Sequence, residues 1–388
     1  MRHLIFAVVM TLVQGLGSWL LYNRWLKPPV WPFGAKTLIL SLLGALCLSL
    51  PVGHFCWAHF HQAWAGALYW VGYVWLGLLF YAACAFVLSN LALGLLGLVW
   101  KPPLLLRQAV AASSALLSVG LCAYGAWVAA QGPQVQTREV VLQKLSPAFD
   151  GFRVAVLSDV HLGMPGQGRA FSERLVAQIN ALDADVVALL GDLVDGDVER
   201  LAYAVAPFKN LRAKHGVLFV MGNHEYFNSN PLAWVAHFQS LGFRVLGNER
   251  VEMERMHPDG TPARLAFAGV YDLMARHTAG HFTDLRAALE GRDEATPVVL
   301  LSHQPRLWEE ARAAGVDFML SGHTHGGQMW PFHYMAAGIN RYVQGLYSEG
   351  DAQLYVTPGA GQWGPPLRVG AAPEIALLLL RAPFAKKP

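Results

Sequence analysis

The sequence predicts two fold classes in series, an N-terminal transmembrane α-helical domain followed by an α/β domain. Three observations predict this. No Asp or Glu occurs before Glu139. Four long, nearly uncharged apolar runs fill that acid-free stretch, each close to or beyond the roughly 18–20 residues that cross a bilayer. Beyond it, short aliphatic runs alternate with helical stretches, which is the pattern of an α/β domain. The 388 residues suffice for two domains. The composition changes near residue 135, so the expected boundaries are 1–134 and 135–388.

The apolar runs are Leu4 to Tyr22, Thr37 to Trp57, Ala65 to Trp100 and Ala109 to Ala130. One such run is commonly a buried core helix; four in succession without an acid predict about four membrane spans. The first run alone resembles a signal peptide, but no small-residue cleavage site follows it; Arg24, Trp25 and two prolines do. The third run, 36 residues long, exceeds a simple span. No turn signal stronger than Ser89-Asn90 breaks it, so one long helix is expected. Trp57, Trp64, Tyr69, Trp70, Tyr73, Trp75 and Trp100 supply the aromatic residues that favour membrane interfaces. Basic residues in short loops mark the inner side. Arg24, Lys27 and Lys36 follow the first run, and Lys101 and Arg107 follow the third, whereas only His59 and His61 separate the second and third. With four spans in a plasma (inner) membrane, both termini and the second domain are expected on the extracytoplasmic side. A fifth span would reverse that.

The net charge of +3 and the lack of a Lys/Arg-rich run in the second half exclude an electrostatic nucleic-acid binder. All four cysteines (Cys47, Cys56, Cys84, Cys122) fall in the apolar half. The second half therefore carries no disulfide framework and no cysteine metal site.

Five aliphatic runs in that half end in the same kind of residue. Phe152–Leu157 leads to Ser158-Asp159-Val160-His161, and Val186–Leu190 to Gly191-Asp192. Val217–Met221 leads to Gly222-Asn223-His224-Glu225, and Val298–Leu301 to Ser302-His303. Phe318–Leu320 leads to Ser321-Gly322-His323-Thr324-His325-Gly326-Gly327-Gln328. Buried strands read as continuous aliphatic runs, and sites in open α/β sheets gather beyond the carboxyl ends of strands. Five such ends delivering Asp, Asn or His can converge on one spot. Imidazole with carboxylate suits Mn, Fe, Zn and Ni, whereas Ca and Mg prefer oxygen alone. Asp159, His161, Asp192, Asn223, His303, His323 and His325 are more donors than one ion needs, so two divalent ions sharing a carboxylate are expected. Two metals about 3.5–4 Å apart clamp an in-line displacement at phosphorus. No serine or cysteine nucleophile with a partnered base competes with this reading.

At these residues, over about 138–380, the sequence resembles the calcineurin-like metallophosphoesterase superfamily, and within it the membrane-associated bacterial branch often described as phosphodiesterases. Ser-Asp-x-His, Gly-His-Thr-His-Gly-Gly-Gln and the late segment from Val356 to Arg368, which reads Val-Thr-Pro-Gly-Ala-Gly-Gln-Trp-Gly-Pro-Pro-Leu-Arg, carry the likeness. The first 135 residues match by architecture only. The resemblance implies a two-sheet β-sandwich flanked by helices, with Asp159, His161 and His325 on one metal and Asn223, His303 and His323 on the other. It further implies that Asp192 bridges them and that His224 stands over the substrate phosphate as a general acid without binding metal. Asp195 is a candidate partner for a ligand histidine.

The substrate is less legible. Trp330-Pro331-Phe332-His333-Tyr334-Met335 is apolar and aromatic, Trp363 and two prolines occupy the Gly-rich segment, and Arg341 and Arg368 could pair with a second phosphate. Together these favour a phosphodiester or pyrophosphate of a membrane lipid or lipid-linked molecule. A soluble substrate with the helices as anchor, and a membrane sensor with a vestigial domain, are the alternatives. No paired intramembrane charges mark an ion pathway. Oligomeric state is not encoded in any pattern of the sequence.

Overall fold

The computed structural model describes residues 2–23, 32–60, 62–227, 230–257, 259–278 and 280–383. Arg24, Lys27 and His61, on which the orientation reading partly rests, lie outside the described residues. The chain divides into two compact units, Met1–Ala130 with Trp363–Val369, and Gln131–Gln362 with Gly370–Pro388.

Among the described residues the first unit holds four helices, α1 (Arg2–Leu21), α2 (Phe33–Phe60), α3 (Ala63–Gly97) and α4 (Leu104–Ala130). The third apolar run is one uninterrupted helix of 35 residues, as the missing turn signal predicts. By length and composition α2, α3 and α4 are long and apolar enough to cross a membrane; the apolar part of α1, Ile5–Leu21, is shorter. The unit exposes apolar side chains and buries a few polar ones among its apolar and aromatic residues. Leu12, Leu38, Leu105 and Leu116 are exposed, whereas Gln14 and Ser18 are buried. Gln14 Nε2 donates to Gly72 O and Trp75 Nε1 to Ser18 Oγ. Helices α2 and α3 approach backbone to backbone, because a Cβ on Gly72 would lie 2.4 Å from Leu50 Cα; small residues permit such contacts between apolar helices.

The second unit is an α/β domain with two six-stranded sheets. Its strands are β1 (Gln134–Val141), β2 (Phe152–Leu157), β3 (Val186–Leu189), β4 (Val217–Phe219), β5 (Phe243–Val245), β6 (Glu249–Met256), β7 (Pro262–Gly269), β8 (Val298–Leu301), β9 (Phe318–Ser321), β10 (Gly345–Glu349), β11 (Ala352–Val356) and β12 (Glu374–Arg381). One sheet runs β1-β12-β2-β3-β4-β5, the other β10-β11-β9-β8-β7-β6. Its helices are α5 (Arg169–Asn180), α6 (Val198–Val205), α7 (Asn223–Phe227), α8 (Pro231–Ser240), α9 (Leu285–Leu289), α10 (Trp308–Ala313) and α11 (His333–Asn340).

Alternation along each strand explains the sandwich. Val154 and Val156 of β2 point into a core shared with Phe267, Leu301 and Leu320 of the other sheet. Ala155 and Leu157 point the opposite way, onto Leu175, Val205 and Phe238 of the flanking helices. On the far face of the second sheet, Val298 and Leu300 pack with Leu285 and Trp308 of α9 and α10. The strands that end in candidate ligands are therefore buried on both faces, which is why they read as unbroken aliphatic runs. Strands β2, β3 and β4 are mutually parallel, as are β8 and β9. Parallel pairing puts all their carboxyl ends on the same edge of each sheet.

Candidate metal centre

Beyond those edges the expected donors meet. Asp159, His161 and His325 form one group whose donor atoms lie within 4.8 Å of one another, and Asp192, His303 and His323 form a second. His161 Nε2 and His325 Nε2 are 3.0 Å apart, with Asp159 Oδ1 at 3.5 Å from the latter. In the second group, His303 Nε2 lies 3.0 Å from Asn223 Oδ1 and 3.2 Å from Asp192 Oδ2. The same Asp192 oxygen is 3.9 Å from His161 Nε2, so it stands between the groups.

The surrounding hydrogen bonds fix which ring nitrogens carry hydrogen. His161 Nδ1 donates to Asp195, at 3.1 and 3.2 Å from its two oxygens, and His303 Nδ1 donates to the carbonyl of Leu190 at 2.7 Å. A carboxylate or carbonyl only accepts, so on a neutral ring each Nε2 is left as a lone pair, that of His303 facing the oxygens of Asn223 and Asp192. Two buried carboxylates and several imidazole lone pairs aimed at one another require protons or cations between them. The donor set fits two divalent cations, and by ligand type it suits Mn, Fe, Zn or Ni.

The ionisation of these groups follows from burial and mutual charge. Burial pushes Asp159 up, and although the charge of His303 opposes this, its carboxyl stays raised. Burial also acts on Asp192, but the charges of His303 and His224 outweigh it and hold that carboxyl well below the usual range. Burial disfavours the charged form of His303, yet Asp192 raises it well above an ordinary histidine. That response marks where positive charge is wanted. His323 goes the other way: burial, then the charge of His303, lower it to about 3, leaving a neutral ring able to ligate.

His224 sits at the rim of the clusters. Its side chain is 14% exposed and its Nε2 is 4.0 Å from Asp192 Oδ2. Its Nδ1 is 2.5 Å from Asp195 Oδ1, so Asp195 orients both His161 and His224. Burial works against a charge on His224, but Asp195 and then Asp192 raise its pKa to about 9. The same pairing, with His224 contributing most, holds Asp195 well below the usual carboxylate range despite its burial.

The loops that carry these residues are strained and interlocked. Asp159, His161, Asp192, His323 and His325 all have positive φ, between 51° and 69°, a region costly for residues other than glycine. Asp159 N donates to Gly191 O, His161 N to Asp192 O, and Gly322 N to His303 O. His323 N donates to the Asp159 carboxylate and His224 N to Asp192 Oδ1. Gly222 permits this packing, since a Cβ there would fall 2.2 Å from Asp192 Oδ1.

Two further candidates are not among these donor groups. Arg341 is exposed and its guanidinium pairs with Glu309 and Glu349. Arg368 is buried, its backbone N–H donates to Gly125 O, and it belongs to the first unit. Conversely, Glu225, quoted in the sequence motif without a role, is fully buried and accepts from the backbone N–H groups of Asp192, Leu193, Val194 and Gly222. Burial, then the charge of Asp192, push its carboxyl up to about 8, while the N–H groups of Gly222 and Asp192 pull it back. Four donors reaching both oxygens describe a carboxylate, and cations held by the neighbouring ligands would act in the same direction.

Comparison with known proteins identifies the family. The family model described as calcineurin-like phosphoesterase matches residues 152–327. Proteins named "Transmembrane protein with metallophosphoesterase domain" from Danio rerio and Bos taurus are 36% and 38% identical over 280 and 288 residues, which is 71% and 72% of this chain. The matched region spans 63% of the length of each. A metallophosphoesterase of Aquifex aeolicus is 30% identical over 257 residues, covering 64% of this chain and 92% of that protein. With the ligand-bearing strand ends inside the matched region, the chain belongs to the calcineurin-like metallophosphoesterase family.

Proposed function

We propose that the chain is a membrane-anchored phosphoester hydrolase that uses two divalent cations, acting on a phosphodiester or pyrophosphate of a lipid or lipid-linked molecule. The observation that carries the chemistry is the sharing of one Asp192 oxygen between two donor clusters, with His224 held at their rim. In this reading Asp159, His161 and His325 hold one cation and Asn223, His303 and His323 the other, with Asp192 between them. Bound there, the cations would supply an acidified water and neutralise the non-bridging phosphate oxygens.

The chain's own residues do the rest. Asp195 keeps the Nδ1 proton on His224, so Nε2 is the nitrogen that would present a proton to the leaving alkoxide, which is general-acid work. Asn223 can offer its amide N–H to a phosphate oxygen while its Oδ1 faces the cation beside His303.

Two features support the anchor and the lipid substrate. Helices α2, α3 and α4 have the length and composition of membrane spans, and the vertebrate relatives are named transmembrane proteins. Trp330, Phe332, Tyr334, Met335 and Ile339 are all exposed, on a segment, 326–340, that contains no Asp, Glu, Lys or Arg. With α1 taken as a fourth span, our reading has the catalytic unit on the extracytoplasmic side, which protease accessibility in sealed vesicles would check.

The test is hydrolysis of bis-p-nitrophenyl phosphate against p-nitrophenyl phosphate by the full chain in mild detergent, with added Mn²⁺ or EDTA. Metal-dependent diester turnover is expected, reduced about 10²–10⁴-fold in His224→Ala with metal content retained. An empty site in that variant would make His224 a ligand and overturn its assignment. Faster turnover of a phospholipid diester in mixed micelles than of its water-soluble analogue is expected; equal rates would move the reading to a soluble substrate.

A further inference from the structure

The carboxylate of Glu225 lies at the centre of a ring of four backbone donors. Its Oε2 accepts from Asp192 N at 2.9 Å and Gly222 N at 2.7 Å, and its Oε1 from Leu193 N at 2.8 Å and Val194 N at 3.3 Å. Three of these are consecutive amides of the turn after β3, and the fourth precedes α7. Converging backbone amides of this kind form an anion-binding concavity. Here the anion is part of the chain and is fully buried.

The turn it fills is a strained one. Gly191 has φ 86° and Asp192 φ 52°, and a non-glycine residue persists there only where its surroundings over-determine it. Glu225 is also on the same short helix as Asn223 and His224, whose N–H binds Asp192 Oδ1 at 2.8 Å. One side chain therefore ties the loop of the shared carboxylate to the helix bearing one candidate ligand and the candidate acid. We infer that Glu225 is a positioning residue: it locks Asp192 in the left-handed conformation that aims its carboxylate between the two donor clusters, and fixes it against Asn223 and His224. The inference rests on reading those clusters as a two-cation site.

A carboxylate suits this place better than its nearest substitutes. Its two oxygens offer about four lone-pair sites to four donors. Glutamine would turn an NH₂ group towards two backbone N–H groups, and aspartate is one methylene short.

The test uses the full chain in detergent, with Mn²⁺ binding followed by the EPR signal of free Mn²⁺. In Glu225→Gln, Mn²⁺ binding should weaken about 10–100-fold, as for other residues that orient metal ligands. Its kcat on bis-p-nitrophenyl phosphate should fall by a similar factor while KM stays within about twofold, and Glu225→Asp should recover part of the loss. A Glu225→Gln protein that melts earlier yet binds Mn²⁺ with wild-type affinity would overturn the inference, because that is the behaviour of a merely structural residue. Hydrogen exchange of the wild-type protein gives a readout that does not depend on the variant folding or on metal. Residues 192 and 193 belong to no strand or helix, yet their amides, which donate to Glu225, should exchange as slowly as those of β3, even in EDTA. Exchange at the rate of a surface loop would refute the clamp. A wild-type protein that binds no Mn²⁺ but keeps this protection would instead sink the two-cation reading.

Discussion

Replacing Asp195 by Asn tests the assignment of His224 most directly, because the substitution keeps the shape and removes the charge. Asp195 accepts from His224 Nδ1 at 2.5 Å and from His161 Nδ1 at 3.1 Å, with its side chain only 13% exposed. An asparagine can accept from one of them through its oxygen; its NH₂ group then faces the other N–H. One ring must change tautomer or lose its partner. If His161 changes, the proton moves to Nε2, the nitrogen that faces His325; if His224 changes, its Nδ1 becomes an acceptor and the ring loses the carboxylate that stabilises its protonated form, the form a general acid needs. A hydrogen bond to a charged group contributes about 1.5–3 kcal/mol, and a buried donor left without a partner costs about 1–3 kcal/mol more. A combined loss of about 3–5 kcal/mol corresponds to about a 10²–10⁴-fold fall in kcat. The pH profile should change too. After burial, which lowers it, Asp195 is the main cause that raises His224 to about 9. A general acid works below its pKa, so removing the raising charge moves the alkaline limb of kcat to lower pH, by about one unit or more. Stopped assays of diester hydrolysis across pH 6–10 on about the same folded fraction would read both effects. A kcat within about threefold of wild type and an unmoved alkaline limb would refute the reasoning, since neither tautomer could then matter.

Four further outcomes are expected. Asp192→Ala should lose both metals by elemental analysis and nearly all turnover, because its Oδ2 stands between the clusters at 3.2 and 3.9 Å from their imidazoles; retained occupancy of two ions would remove its shared role. Gly222→Ala should lower the melting temperature by about 2–10 °C and kcat by at least about tenfold, since its Cβ would lie 2.2 Å from Asp192 Oδ1. Gly338→Ala, with nothing within 4 Å of its Cβ, should be neutral or stabilising in the same thermal melt. Chelation should abolish turnover and lower the melting temperature by about 5–10 °C without unfolding the protein, and Mn²⁺ should restore both.

Parts of this molecule were open to reading from sequence because the physics there is local. An acid-free stretch of long apolar runs reports helices with apolar outer faces, and α3 is one helix because nothing in 63–97 breaks it. Five aliphatic runs ending in Asp, Asn or His report parallel strands buried on both faces, and the ends of β2, β3, β4, β8 and β9 meet where such runs would put them. What escaped depends on partners far away in the chain. Arg341 finds Glu309 32 residues away and Glu349 beside it. Trp363–Val369 groups with helices whose last residue is more than two hundred positions earlier. Glu225 looks like one more surface-type acid until the turn after β3 folds over it.

Backbone strain is the other thing sequence conceals, and it bears on how the site is built. Five of the seven candidate ligands adopt a left-handed φ, at a cost of order 1–3 kcal/mol apiece where the surroundings impose it. Neighbouring glycines hint at tight turns but not at which non-glycine residue carries the strain. The compensation lies between loops. Asp159 leans on Gly191, His161 on Asp192, and His323 on Asp159. Each of these ligand loops is thus hydrogen-bonded to another ligand loop. A site whose geometry depended on its cations would need only one such bond to be missing for the donors to disperse. In the two-cation reading, these inter-loop hydrogen bonds help to orient the donors that the cations would meet. That arrangement places the ligating atoms before substrate arrives, which is what electrostatic preorganisation for charge developing at phosphorus requires.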